Sequence, residues 1–289
     1  MTNDDEIPIA TKGLVLRRAQ ARWYDLLAAA LTLGRDRQLR ERFAALARLA
    51  PGEPVLDVGC GTGTLALAAK RAVGDAGSVV GVDASADMIA LATAKASRAG
   101  ASVSFRSAAA ERLPFPDATF DAVLSTLMLH HLPAPLRREC VREALRVLRP
   151  GGRMLVVDFA APSARHGGLL SRLHRHGGVP PDAIVALLGG AGFHIVERGS
   201  VGMSDLQYVL AEVPRAGESL VRSDAVVASR SLPALPAPRW IVPAIVVIAI
   251  AAHLAVAQRI VGRVARSGVG VATVGLVALG LAMHLPRRR

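Results

Sequence analysis

The sequence predicts an α/β fold, a doubly wound and mostly parallel sheet of seven strands with helices on both faces, followed by a C-terminal helical membrane hairpin. Three observations predict it. Short apolar runs alternate with helical stretches from residue 55 to residue 212. One of them, 55–58, enters a turn with glycine at 59, 61 and 63 and passes straight into a helical pattern. Finally, a Pro/Ala-rich stretch precedes two apolar segments of 18 residues each.

Taken in order, residues 1–50 read as an N-terminal helical cap. Leu16, Ala19, Trp23, Leu26, Leu27 and Leu31 form one helical stripe; Leu39, Phe43, Leu46 and Leu49 form a second, with Gly34 between them. Pro51-Gly52-Glu53-Pro54 breaks the pattern. The sheet domain then spans 51–213. Its strands are expected at 55–58, 78–82, 103–105, 122–125, 154–158, 194–197 and 206–212, where apolar and β-branched residues cluster between turn signals. Helices are expected at 64–73, 85–99 and 134–148, and at 183–188, stopped by Gly189-Gly190. Ser85 suits an N-cap and Gly100 a C-terminal stop.

Residues 214–239 form a linker, extended because prolines crowd its end at Pro233, Pro236 and Pro238. Beyond it, 240–257 and 268–285 would each measure roughly 27 Å as helices, close to the hydrocarbon thickness of a bilayer. Pro243 and His253 interrupt the first and Thr273 the second, yet neither segment offers a polar face to solvent. A membrane hairpin over 240–289 is the expectation. Buried helices, an interfacial pair and a single span are the alternatives. Arg259, Arg263 and Arg266 would lie in the turn and Arg287, Arg288 and Arg289 at the end, so basic residues do not fix the orientation.

Composition narrows the partners. Of 289 residues, 52% are hydrophobic and 20% charged, which excludes a disordered chain; with 3% aromatics the core must be Ala, Val and Leu. The net charge of +12 is uneven: residues 239–289 hold seven arginines and no acid, while the first 238 residues hold 28 cations against 23 acids. The basic balance therefore points to a membrane flank and not to nucleic acid. Two cysteines exclude a disulfide framework and a four-cysteine zinc site. His166, His174 and His176 have no cysteine or carboxylate close by, so no metal is expected. Asp4, Asp5 and Glu6 and the lack of an early apolar run argue against a signal peptide.

The chemistry concentrates in residues 55–65, VLDVGCGTGTL. Side chains at 59, 61 and 63 would block a ligand from the carboxyl end of the sheet, where open α/β folds bind ligands. The amides at the start of the next helix suit an anionic group such as a carboxylate. Asp83 follows Gly63 by 20 residues, at the end of the next strand, and can accept both hydroxyls of a ribose. Those two elements alone also fit a nicotinamide dehydrogenase. However, the spacing is G-x-G-x-G, and Asp57 precedes it inside the strand. A buried acid there opposes a pyrophosphate and complements a cation, which selects S-adenosylmethionine, with its ammonium and sulfonium.

The strings VLDVGCGTG, VGVDAS, ERLPFPDATFDAV and RVLRPGGRMLVVDF resemble the class I S-adenosylmethionine-dependent methyltransferases, over residues 24–212. WYDLLAAALTLGRDRQLRE and VVDFAAP are similar to the ubiquinone/menaquinone-biosynthesis C-methyltransferases within them. The resemblance implies a Rossmann-like methyltransferase fold and the following roles. Gly59, Cys60, Gly61 and Gly63 would line the methionine portion of the donor, above Asp57 and its ammonium contact. Asp83 would hold the ribose, Ala84 and Met88 would pack on the adenine, and Ala110 and Glu111 would lie at its edge. The family usually has aspartate where Ala109 stands, so the adenine amino contact would be lost or pass to the backbone. Ser125, Thr126 and Leu127 would face the methyl, and Tyr24 would cap the donor.

Methyl transfer needs alignment and exclusion of water, and a base only if the acceptor must lose a proton. His130, His131 and Asp158 are the candidates; a buried, hydrogen-bonded histidine is the plain alternative. The resulting expectation is a membrane-tethered methyltransferase acting on a small, lipophilic quinone or lipid acceptor, held at the membrane through 240–285 with its domain in the cytoplasm. The other is a non-catalytic, membrane-anchored cofactor-binding or interaction protein.

Overall fold

A computed structural model describes residues 36–160, 178–202, 206–215 and 228–234. All of them belong to the first of two units into which the chain divides, Met1–Pro236 and Ala237–Arg289. The predicted first stripe with Tyr24, the histidines at 166, 174 and 176, and both tail segments lie outside the described residues. No helix among the described residues is long and apolar enough to cross a membrane.

The elements are, in chain order, α1 (Asp36–Leu46), β1 (Pro54–Val58), α2 (Thr64–Val73), β2 (Ser78–Asp83), α3 (Ala86–Arg98), β3 (Ser104–Ser107), β4 (Phe120–Thr126), α4 (Ala134–Val147), β5 (Leu148–Phe159), α5 (Pro181–Ala191), β6 (His194–Ser200), β7 (Leu206–Glu212) and β8 (Ala228–Ser229). They form one sheet in the order β3-β2-β1-β4-β5-β7-β6-β8. β7 runs antiparallel to both its neighbours; every other pairing is parallel. The expected seven strands are present. An eighth, two residues long, comes from the stretch read as linker and pairs with β6.

Alternation along each strand sorts side chains into two layers. Leu56, Val58, Val123, Met154 and Val156 face Cys140, Val141 and Ala144 of α4 and Ile184 and Leu188 of α5. Val55, Ala122, Leu124, Leu155 and Val157 face Leu39 and Phe43 of α1 and Leu65, Ala66 and Ala69 of α2.

Helix ends follow local chemistry. The Ser85 hydroxyl accepts from the Met88 amide at 3.3 Å and starts α3. Gly100, at φ 61, ends it: Gly100 N donates to Ser97 O and Ala101 N to Ala96 O. The expected stop of α5 at Gly189-Gly190 is incorrect. The helix runs through both glycines to Ala191 and stops at Gly192, in the left-handed region. Fully buried Ile184 and Leu188 hold it, outweighing a cost of about 1 kcal/mol for each helical glycine.

The chain moves from β1 to β2 and β3 on one side and returns to β4 on the other. The strand order therefore reverses between β1 and β4, which opens a crevice at their carboxyl ends, flanked by the turn at 59–63 and by Leu127-Met128.

Candidate functional site

The glycine turn is bound to the neighbouring strand. Gly59 N and Cys60 N both donate to Val82 O, at 2.8 and 2.9 Å. Gly61 N donates to Asp83 Oδ2 and Ser85 N to Asp83 Oδ1, each at 2.9 Å. Asp83 thus braces the turn and the start of α3 together. Burial raises its pKa, and the two amides oppose that rise.

All three glycines have positive φ, but they serve different needs. A Cβ on Gly61 would meet nothing within 4 Å. A Cβ on Gly59 would overlap Met128, which lies across the turn. A Cβ on Gly63 would come within 2.7 Å of the Phe105 ring and 2.9 Å of Ala92 Cβ. The resemblance implies that all three line the donor. A side chain at Gly63 would be directed into protein, so glycine there lets α3 and β3 close on the turn, while one at Gly61 would enter open space.

Asp57 is 1% exposed at the end of β1, and its Oδ2 has no hydrogen-bond partner among the described residues. Burial pushes its pKa up to about 7; nearby Arg40 and the Ala66 amide lower it and Asp83 raises it further. One oxygen of this carboxyl group thus has no hydrogen-bond donor opposite it among the described residues. Arg40, on α1, is a neighbour that sequence reasoning missed, because the two lie 17 positions apart with a turn between them.

At the carboxyl ends of β4 and β5 lies a second cluster. His130 Nδ1 is 2.6 Å from Asp158 Oδ1, and His130 N donates to Asp158 Oδ2 at 3.0 Å. Phe159 N donates to Asp158 Oδ1 at 2.8 Å. Asp158 is fully buried and the His130 side chain is 8% exposed. An ionised carboxylate in this position accepts the Nδ1 proton and leaves Nε2 as the basic nitrogen. His131 is exposed, and its ring stacks at a tilt on His130 with centroids 3.9 Å apart. Ser125 is 1% exposed and its Oγ is unpartnered among the described residues. Leu127, next along, has φ 56 while its amide donates to Val157 O at 2.8 Å. A non-glycine residue in that region costs about 1–2 kcal/mol, and such strain gathers at functional sites.

The remaining candidates are placed as follows. Ala84 is half-buried after Asp83, and Met88 is buried in the first turn of α3. Ala110 and Glu111 sit in the turn after β3, where Arg112 N donates to Ala109 O. Glu111 Oε2 is buried without a partner among the described residues, and its charge, after burial itself, helps push the Cys140 thiol up to about 12. Cys60 is buried, and a Cβ on Gly81 would sit 3.0 Å from its sulfur. It fills space against β2, and burial holds its thiol protonated. Met128 was not foreseen as a site residue; its position directly after Ser125-Thr126-Leu127 was the available signal.

A family model described as a methyltransferase domain matches residues 55–152. The chain is similar to the ubiquinone/menaquinone biosynthesis C-methyltransferase of Pseudomonas paraeruginosa, 39% identical over 153 residues, covering 52% of this chain and 58% of that protein. It is similar to the demethylmenaquinone methyltransferase of Thermus thermophilus, 38% identical over 151 residues, covering 52% of this chain and 67% of that protein. Among solved structures, a SAM-dependent methyltransferase from Aquifex aeolicus aligns with TM-score 0.54 and 22% identity, covering 68% of this chain and 99% of that one. The 4+2 cyclase SpnF aligns with TM-score 0.52 and 25% identity, covering 61% and 82%.

Proposed function

Because this chain belongs to the class I S-adenosylmethionine-dependent methyltransferases, we propose that it transfers a methyl group to a small lipophilic acceptor, of quinone or lipid type, from a domain tethered to a membrane by residues 240–285. The observation that carries the activity is the buried, unpartnered Asp57 oxygen beside a turn that Gly61 leaves open. An uncompensated buried charge is costly, and a bound cation relieves it. The residues therefore fit the donor.

When bound, S-adenosylmethionine supplies an electrophilic methyl on a sulfonium. Asp57 would neutralise the ammonium, Asp83 would accept from the ribose, and Gly61 would leave room for the methionine chain. Ser125 Oγ and Met128 would border the methyl. Asp158 orients His130, so that Nε2 can take a proton from an enolic or phenolic acceptor as the new bond forms. Leu129, Leu132 and Val179, buried around this edge, help exclude water.

Quinone-type acceptors are supported by the names of the two curated relatives. The chain spans 58% of the length of the first of them, so the acceptor is argued from the residues shared. The apolar tail, rich in arginine and free of acid, supports the membrane, and the cytoplasmic supply of the donor supports a domain on that face. A second reading, donor binding without methyl transfer, draws on SpnF, a cyclase with the same fold.

The test is labelled methyl transfer from S-adenosylmethionine into a total lipid extract against the aqueous metabolite pool. Label in a lipid-soluble product is expected. Label only in water-soluble products removes the lipophilic acceptor, and calorimetric binding without any transfer leaves the second reading.

A further inference from the structure

Between β4 and α4 the chain carries His130 on a single 3-10 turn, Leu129–His131. Strand β5 grips this stretch from one side. Leu127 N donates to Val157 O at 2.8 Å, and Asp158 engages both the amide and the ring Nδ1 of His130. The ring also stands edge-on to Phe159, with centroids 5.6 Å apart. Within the turn, His131 N donates to Met128 O and Leu132 N to Leu129 O.

A second grip comes from α4. Arg137 Nε donates to Leu129 O and to Leu132 O, each at 2.8 Å. These two carbonyls lie on either side of the His130-His131 pair in the chain. Other arginines of the helix behave differently: Arg142 pairs with Glu139 and Arg146 with Glu143. Arg137 is half-buried and brings its N–H to backbone oxygens instead. A guanidinium keeps its charge at any working pH, so this donor is never lost by titration.

The two bonds from Asp158 come from one carboxylate, so by themselves they leave the turn free to rock about the line that joins them. A third point of attachment, on a different element, removes that freedom. A nitrogen that takes a proton must lie about 3 Å from its bearer, and a misplacement of about 1 Å can cost about 100-fold in rate. We propose that Arg137 is a positioning residue for His130: from α4 it fixes the turn that Asp158 fixes from β5, and so aims Nε2 at the acceptor. This rests on the reading of His130 as the base and deepens it, by adding a residue that acts through His130 alone.

The test uses the full chain in detergent micelles with isotope-labelled histidine. Imidazole signals of the donor-free protein are read by nitrogen NMR at about pH 8, where an unperturbed ring is neutral. The signal that vanishes in His130→Asn is that of His130. The parent should show one tautomer, protonated at Nδ1. Arg137→Met keeps an apolar stem and removes the donor; it should show both tautomers. Its single-turnover transfer of labelled methyl, summed over lipid extract and aqueous pool, should fall between about 10- and 100-fold. Its calorimetric Kd for S-adenosylmethionine should be unchanged. Arg137→Lys, whose ammonium can serve two carbonyls, should regain the single tautomer and most of the rate. Should Arg137→Met fail to fold, Arg137→Gln, with a shorter neutral donor, should show the same two changes at smaller amplitude. A folded Arg137 variant that keeps either the parent's tautomer or its rate, while Asp158→Asn changes both, overturns the role of Arg137 alone. Transfer by His130→Asn as fast as by the parent, or none by the parent, overturns the base reading and the role of Arg137 with it.

Discussion

Asp158 holds His130 by two contacts at once, a 2.6 Å bond to the ring Nδ1 and a 3.0 Å bond to the same residue's amide. Ring and backbone are thus fixed to one buried carboxylate, which sets the tautomer as well as the position of the imidazole. A merely structural histidine would be expected to affect stability and turnover together, whereas a base would separate them. Asp158→Asn should lower kcat by about 10²-fold or more while the donor Kd stays nearly constant. His130→Ala should do the same and regain activity with added imidazole. The double variant should be no worse than the poorer single one, as expected for residues acting as a unit. Single-turnover rates and calorimetric binding check this, and unchanged kcat in both single variants removes the base.

Gly61 and Gly63 separate donor binding from packing. Both have positive φ, so alanine strains either backbone by about 1–2 kcal/mol. At Gly61 the new methyl enters open space, so Gly61→Ala should weaken donor affinity with only that modest loss of stability. At Gly63 it meets Phe105 and Ala92, so Gly63→Ala should cost about 2–4 kcal/mol in all. Urea unfolding alongside titration with S-adenosylmethionine should give opposite rankings for the two variants. A common ranking would mean that the turn is placed wrongly.

This contrast also marks how far the sequence can be read. Helix 64–73 and strand 206–212 were legible to the residue, because their apolar spacing and flanking breakers are local signals. The turn and Asp83 were legible as a pair because their chain spacing reflects one βαβ unit. The packing role of Gly63 was not, since Phe105 arrives from a strand some forty residues later. Strand β8 was hidden for a related reason: two residues beside a proline-rich run carry no period, and only Gly199 and Gly202 on β6 and its exit betray that a backbone lies against them. The continuation of α5 through Gly189-Gly190 likewise depends on tertiary burial of Ile184 and Leu188, which local propensity cannot report.

Tyr208 and Glu197 tie β7 to β6. The Tyr208 hydroxyl donates to Glu197 Oε1 at 2.5 Å, and Arg48 Nη2 donates to Oε2 at 2.7 Å. The Tyr208 bond is the main reason that the Glu197 carboxyl lies below its usual range; burial opposes it and Arg48 reinforces it. A depressed folded-state pKa gives stability that is present above the unfolded value, about 4.3, and is lost as pH falls through the folded value. Tyr208→Phe should cost about 1.5–3 kcal/mol at neutral pH, the range for a hydrogen bond to a charged group. The loss should shrink in acid. Denaturant titrations of both proteins at neutral and acid pH measure it, and a pH-independent loss would show that the hydroxyl does not act on the Glu197 charge.

Asp57 gives the opposite sign. Its folded-state pKa, up to about 7 through burial, lies above an unfolded value of about 3.9. Between those limits the folded chain holds a proton that the unfolded chain releases, so the donor-free protein should lose stability as pH rises from about 4 through about 7. A cationic donor favours the ionised carboxylate, so binding should expel that proton. Below about pH 7 donor affinity should therefore fall with pH, approaching tenfold per unit. Asp57→Asn should bind weakly at every pH, show no such slope, and be the more stable of the two at pH 7 without donor. Calorimetry in two buffers of different ionisation enthalpy reads the proton directly. Release of a proton by the parent and none by Asp57→Asn is the expected pair of results; equal release by both would place the donor's ammonium elsewhere.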